Sequence, residues 1–154
     1  MSSPLRLGIA GLGTVGVGVL RIVRQKANLL SARSGRPIEI TAVSARTRDK
    51  DRGVPVAGYA WEDDPVQLAT RDDVDVFVEL MGGSDGPAKA ATEAALAAGK
   101  DVVTANKAML ATHGQMLSEL AENAGRVIRF EAAVAGGIPV IKALSEGLAG
   151  NDIT

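Results

Sequence analysis

The chain has 154 residues, with 17 basic and 18 acidic side chains, a formal charge of −1 and only four aromatic side chains. With no basic tract, that balance argues against nucleic acid as a partner, and apolar runs far shorter than the roughly 20 residues of a membrane span argue against a bilayer. The absence of cysteine excludes disulfides, thiolate catalysis and cysteine-ligated metal, while a chain of this length suits one domain with a sizeable core. Met1-Ser2-Ser3-Pro4 carries no apolar export segment, so a cytoplasmic protein is expected.

The first element sets the frame. Leu5 to Ala10 is short, apolar and β-prone, and it runs into Gly11-Leu12-Gly13-Thr14-Val15-Gly16, after which Val15, Val19, Leu20 and Val23 recur at helical spacing. Strand, tight turn and helix in that order suit a dinucleotide: Gly11 turns the chain, Gly13 admits a pyrophosphate to the backbone, and Gly16 lets the helix pack closely. The helix start then presents free amides to the anion.

Asn28 to Pro37 reads as a helix end and loop, and Ile38 to Val43 as the second strand. Thr47 to Gly53 is almost entirely charged and reads as an exposed loop. A short strand near Val54 to Ala57 and a short helix from Pro65 to Thr70, capped by Asp64, follow. Val74 to Met81 reads as a strand ending at a second glycine-rich turn, Gly82 to Gly86. Pro87 opens an alanine-rich helix to Ala98, closed by Gly99. A strand from Asp101 to Ala105, a helix from about Thr112 to Asn123, a strand from Arg126 to Ala132 and a helix opened by Gly136-Gly137-Ile138-Pro139 complete the chain, with Gly147 or Gly150 near its close.

Strands alternating with helices predict a doubly wound, mainly parallel sheet of Rossmann type with helices on both faces. Its loops at 11–16, 44–53, 82–86, 106–107 and 133–138 all fall on the carboxyl edge, where such sheets bind ligands. No acid stands at the end of the second strand to grip an adenosine ribose. Arg46 stands there instead, which points to NADP(H) over NAD(H), although NAD(H) still fits. Lys107, at the tip of a later strand, is placed to orient a carbonyl, donate a proton or hold a cofactor group from a buried or half-buried position. Glu131 beside the small-residue turn Ala133 to Gly137 offers an oxygen-rich nest to a monovalent cation, a salt bridge being the plainer reading. His113, without partners, is a poor catalytic or metal candidate; Trp61 and Tyr59 read as packing residues, and Glu79 as a buried, hydrogen-bonded acid.

Four ordered segments, Gly11 to Val19, Val78 to Gly83, Asp101 to Ala108 and Phe130 to Pro139, together resemble homoserine dehydrogenase. The resemblance implies NAD(P)H-linked interconversion of L-aspartate 4-semialdehyde and L-homoserine, on the route to threonine and methionine. It implies that Leu12, Gly13, Thr14 and Val15 line the pyrophosphate within a cofactor site that includes Gly11, Gly16, Gly82, Arg46 and Lys107. Lys107 would also be catalytic, and Glu131 with the carbonyls of Val134, Gly136 and Ile138 would hold Na+. Residues 1–150 would form the NAD(P)-binding domain and 151–154 the start of a truncated substrate and dimerisation domain. The full enzyme would be a homodimer acting on a small-molecule substrate, and the fragment alone inactive. A non-catalytic cofactor sensor, or another aldehyde or amino-acid dehydrogenase of similar fold, is the alternative.

Overall fold

In a computed structural model, which describes residues 2–136 and 138–147, the chain alternates strands and helices from its first element. The strands are β1 (Leu5–Ala10), β2 (Ile38–Ser44), β3 (Ala60–Glu62), β4 (Val76–Glu79), β5 (Asp101–Thr104) and β6 (Ile128–Arg129). They form a six-stranded sheet in the order β3-β2-β1-β4-β5-β6, and every pairing is parallel. The order reverses between β1 and β4, the switch point at which such sheets open a crevice.

Side chains alternate across the sheet. Ile9, Val43 and Val78 face α1 (Thr14–Gln25), where Leu20 is fully buried among them. Ala10, Ala42, Phe77 and Val102 face the opposite layer, built from α3 (Pro65–Thr70), α4 (Pro87–Ala97) and α5 (Lys107–Asn123). In α4, Ala88, Ala91, Ala95 and Leu96 recur at helical spacing on its buried face, and the small side chains let the helix lie close to the strands. The α1 face is less completely covered: Val103, beside Val78 in the register, is 38% exposed.

Several boundaries differ from the expected ones, each for a local reason. The segment after α1 is not a loop but α2 (Ala27–Ser34); the Ser34 hydroxyl bonds back to the Leu30 carbonyl at 2.8 Å, so a residue read as a loop signal lies inside a helix. No strand forms at Val54 to Ala57. Val54 and Val56 are apolar because they pack against the α1-side core, and β3 pairs with β2 a few residues later. α5 starts at Lys107 rather than Thr112, because the Asn106 side chain accepts from the Met109 amide at 3.1 Å and caps it. β6 ends at Arg129 because its pairing with β5 is only two residues long. Glu131 therefore opens a short helix, α6 (Glu131–Val134), whose alanines favour that state over a strand. α7 (Val140–Lys142) runs into a π-helical turn, Ala143–Gly147. Gly137, Gly150 and the expected start of a further domain at 151–154 lie outside the described residues.

At the amino edge an ionic clip ties β1 to the approach of β4. Asp75 accepts from the Arg6 amide at 2.9 Å and from its guanidinium at 3.1 and 2.6 Å. The Arg6 hydrogen bonds hold the Asp75 carboxyl below its ordinary value of 3.8. A lowered native pKa contributes stability that is present above that value and is lost as pH falls through the native pKa. Asp75→Asn should therefore lower stability at pH 7 and flatten the loss of stability below pH 3.8, as urea unfolding at a series of pH values would show.

Candidate functional site

The turn after β1 is built by three glycines with three different constraints. Gly11 has φ +99°, and a Cβ there would stand 2.4 Å from the Leu80 carbonyl oxygen. At Gly16 a Cβ would meet the Gly11 carbonyl oxygen at 1.9 Å, so α1 is packed against its own turn. Around Gly13 a Cβ would meet nothing within 4 Å. Gly13 is also the residue that precedes α1, which has no side-chain cap and no acid in its first turn. Bare amides and the positive end of the helix dipole thus face open space.

A cleft of about 530 Å³ opens at this edge of the sheet. Gly11, Leu12 and Gly13 form its floor, Ser44 to Thr47 with Lys50 and Arg52 form one wall, and Leu80, Met81 and Gly82 the other. Five residues singled out in the sequence, Gly11, Leu12, Gly13, Arg46 and Gly82, thereby meet in one place. Leu12 contributes backbone, because its side chain is buried in the core. Thr14 and Val15 are exposed in the first turn of α1 just behind the floor, and Gly16 is buried there.

The basic wall has an internal brace. Arg52 donates to the carbonyls of Thr47, Arg48 (3.3 Å) and Lys50 (2.8 Å), and its guanidinium carbon lies 5.6 Å from the centre of the Trp61 ring. Arg48 approaches the same ring at 5.8 Å, and the indole nitrogen donates to Asp63 at 2.8 Å. Trp61 and Tyr59 pack against the α1-side core as expected, and the Trp61 ring also serves as a platform for two cations. Arg46 and Lys50 are exposed and belong to none of the ion pairs among the described residues. Arg52 reads in the sequence only as part of a charged loop, whereas Lys50 stands just behind Arg46; which of these cations brace and which face the cleft depends on the loop's path.

Across the switch point Glu79 is fully buried. Its Oε1 accepts from the amides of Met81 (2.7 Å) and Gly82 (3.3 Å), and its Oε2 from the Thr104 hydroxyl (2.6 Å). Lys107 stands at the start of α5 on this edge but outside the cleft lining, and its side chain is exposed rather than buried. His113 pairs through Nε2 with Asp85 at 2.7 Å, joining α5 to the second glycine turn. The Asp85 carboxyl is held below its ordinary value first by the Ser84 hydroxyl and then by His113. Glu131 lies apart from the cleft, where its carboxylate accepts from the amides of Ile141 (3.1 Å) and Lys142 (3.3 Å). Val134, Gly136 and Ile138 are exposed nearby in the chain. No helix among the described residues is long and apolar enough to cross a membrane.

Residues 11–131 match the model of the homoserine dehydrogenase NAD-binding domain. The homoserine dehydrogenase of Neisseria gonorrhoeae is 48% identical over 150 residues, covering 97% of this chain and 34% of the relative. That of Mycobacterium tuberculosis is 45% identical over 150 residues, covering 97% and 33%. The crystal structure of a homoserine dehydrogenase from Thiobacillus denitrificans superposes with a TM-score of 0.88 at 41% identity, covering 97% of this chain and 34% of that one. The chain thus spans about a third of the length of these relatives.

The glycines separate folding from binding. Gly16→Ala should cost about 2 kcal/mol or more, because its methyl would collide with a carbonyl, whereas Gly13→Ala should stay within about 1 kcal/mol of the parent yet weaken binding of a diphosphate nucleotide. Urea unfolding and a nucleotide titration of both variants would check the contrast.

Proposed function

Because the chain belongs to the homoserine dehydrogenase family, as its NAD-binding domain, we propose that it binds NADP(H) in the cleft at the β1/β4 switch point. In this reading it is the cofactor half of an enzyme that interconverts L-aspartate 4-semialdehyde and L-homoserine, on the route to threonine and methionine. The observation that carries the reading is the conjunction of the uncapped start of α1, the open space at Gly13 and the exposed Arg46 within one cleft. The diphosphate would lie on the amides of Leu12 to Val15, with Gly11 and Gly16 shaping the turn and Gly82 the far wall. The Arg46 guanidinium would pair with the adenosine 2′-phosphate, assisted by the charge of Lys50. NAD(H) would occupy the same cleft without that contact. No observation favours a free-standing cofactor sensor or a different dehydrogenase of the same architecture.

When bound, the nicotinamide supplies the hydride exchanged with the substrate carbon. The protein's part is position and proton. Exposed at the start of α5, Lys107 would contact cofactor and substrate, orient the reacting oxygen and deliver a proton to it as the aldehyde is reduced. Turnover would require groups from the part of the enzyme outside these 154 residues, so the chain alone would bind cofactor without catalysis. A dimer of the full enzyme, in the cytoplasm, completes the reading.

At the turn near Glu131 a structural Na+ would draw on one carboxylate and the carbonyls of Val134, Gly136 and Ile138, all oxygen donors of the kind a hard cation takes, with the Ile138 carbonyl also accepting from the Val140 amide at 2.8 Å. The amides of Ile141 and Lys142 leave lone pairs on that carboxylate free. Bound there, the ion would hold the α6 turn against the start of α7.

Arg46→Asp should weaken NADPH at least roughly tenfold, through loss of a charge-assisted contact and added repulsion, and NADH far less; equal losses in a fluorescence titration would remove the 2′-phosphate assignment. In the complete enzyme, Lys107→Ala should reduce kcat by roughly a hundredfold or more with the fold intact. A steady-state assay that finds the parent rate would make Lys107 a bystander.

A further inference from the structure

We propose that Glu79 is a positioning residue for the nucleotide cleft, which fixes its Met81–Gly82 wall and, through Thr104 and Asn106, ties that wall to the start of the helix carrying Lys107. The inference rests on the nucleotide-binding reading and adds a residue to it that does not itself face the ligand.

The geometry is a closed circuit. In the register Glu79 lies between Ala10 of β1 and Thr104 of β5, at the carboxyl end of the central strand. From Glu79 the path runs to the Gly82 amide, and the carbonyl of the following residue, Gly83, accepts from the Asn106 carboxamide at 2.7 Å. The Asn106 amide donates to the Thr104 hydroxyl at 3.0 Å, and that hydroxyl donates back to Glu79. Asn106 also caps α5. One buried side chain thus joins the glycine turn after β4 to the first residue of α5.

Stability alone does not account for an acid here. Among the described residues no Lys or Arg forms an ion pair with Glu79, and a buried acid without a countercharge is ordinarily less favourable than an apolar side chain of similar size. What it supplies is three acceptor contacts aimed at two adjacent backbone amides and a hydroxyl. Those amides belong to the wall that packs on the turn, where the Leu80 carbonyl occupies the space a side chain at Gly11 would need. A shift of about an ångström in that wall changes the width of the cleft at the diphosphate, and misplacement on that scale is felt strongly in binding and catalysis.

The test uses the 154-residue chain, NADPH, and adenosine 2′-phosphate as a probe of the Arg46 end alone. Glu79→Leu removes all three acceptor contacts and should weaken NADPH roughly tenfold, leaving adenosine 2′-phosphate within about twofold; Glu79→Gln, whose amide oxygen can still accept from Met81 and Gly82, should recover most of that loss. Amide exchange at Met81, Gly82 and Asn106 should accelerate in Glu79→Leu and return towards the parent in Glu79→Gln. Should Glu79→Leu fail to fold, Thr104→Val removes the hydroxyl that joins Glu79 to Asn106 while leaving the Glu79 contacts to Met81 and Gly82, and should speed exchange at Asn106 and Met109, with Thr104→Ser restoring it. NADPH affinity and exchange unchanged in the leucine variant, or equal losses for both ligands in a folded protein, would overturn the assignment. Unchanged exchange in Thr104→Val would do the same. A parent chain that binds neither ligand would overturn the nucleotide reading and this inference with it, whereas a parent that binds both, with an unaffected leucine variant, would overturn this inference alone.

Discussion

The structure depends on one close approach, that of the Gly11 backbone to the Leu80 carbonyl, reinforced by the contact between Gly16 and the Gly11 carbonyl. Two parallel strands end side by side, and the chains leaving them turn to opposite faces of the sheet. Where they part there is room for backbone only. A side chain at Gly11 or Gly16 would push the turn, the first helix and the β4 loop away from one another. Because these positions are held so tightly, Gly13 can stand open and the first-turn amides of α1 can remain without a side-chain cap among the described residues. Unsatisfied donors of that kind are tolerated when they face solvent or an anion, and here they face the crevice.

From that point the electrostatics divide. The chain as a whole is nearly neutral, yet Arg46, Lys50 and Arg52 collect on one wall of the cleft. Arg52 is turned inward on the carbonyls of its own loop and on Trp61, which gives the wall a shape while Arg46 and Lys50 remain exposed. The opposite wall is organised by a buried acceptor instead of a cation. Glu79 holds amides in place without adding charge to the surface the ligand would touch. A nucleotide is anionic at its phosphates and apolar and amphoteric at its rings, so a cleft with charge on one wall and neutral backbone on the other suits both ends.

Much of this was legible from residue order. Apolar runs mark five of the six strands within a few residues, and the glycine turn, its helix and Arg46 all read onto the carboxyl edge, where the structure has them. The errors were of one kind. Ser34 reads as a loop residue although its hydroxyl can bond within a helix, the apolar spacing of Val54 and Val56 belongs to a loop packed on the core, and Glu131 lies beyond the strand expected to hold it because the β5 pairing ends before it. The Asn106 cap carries its own signal in the sequence, since an asparagine before a helix-forming run is the ordinary mark of a helix start.

What the order of residues determined by itself was the parallel alternation, the placing of the unusual loops on the carboxyl edge and the glycine turn before an uncapped helix, because those follow from periodicity, from where glycine is indispensable and from the handedness of crossovers. The sequence already marks Glu79 as a buried, hydrogen-bonded acid, but the tertiary structure alone decided what the inward-looking polar side chains meet. Glu79 and Thr104 are 25 positions apart, and Arg52 meets Trp61 across a loop. Periodicity tells which face of a strand a residue occupies, but the partner of a buried hydrogen-bonding group is set by strand order and register, and those exist only once the sheet has closed.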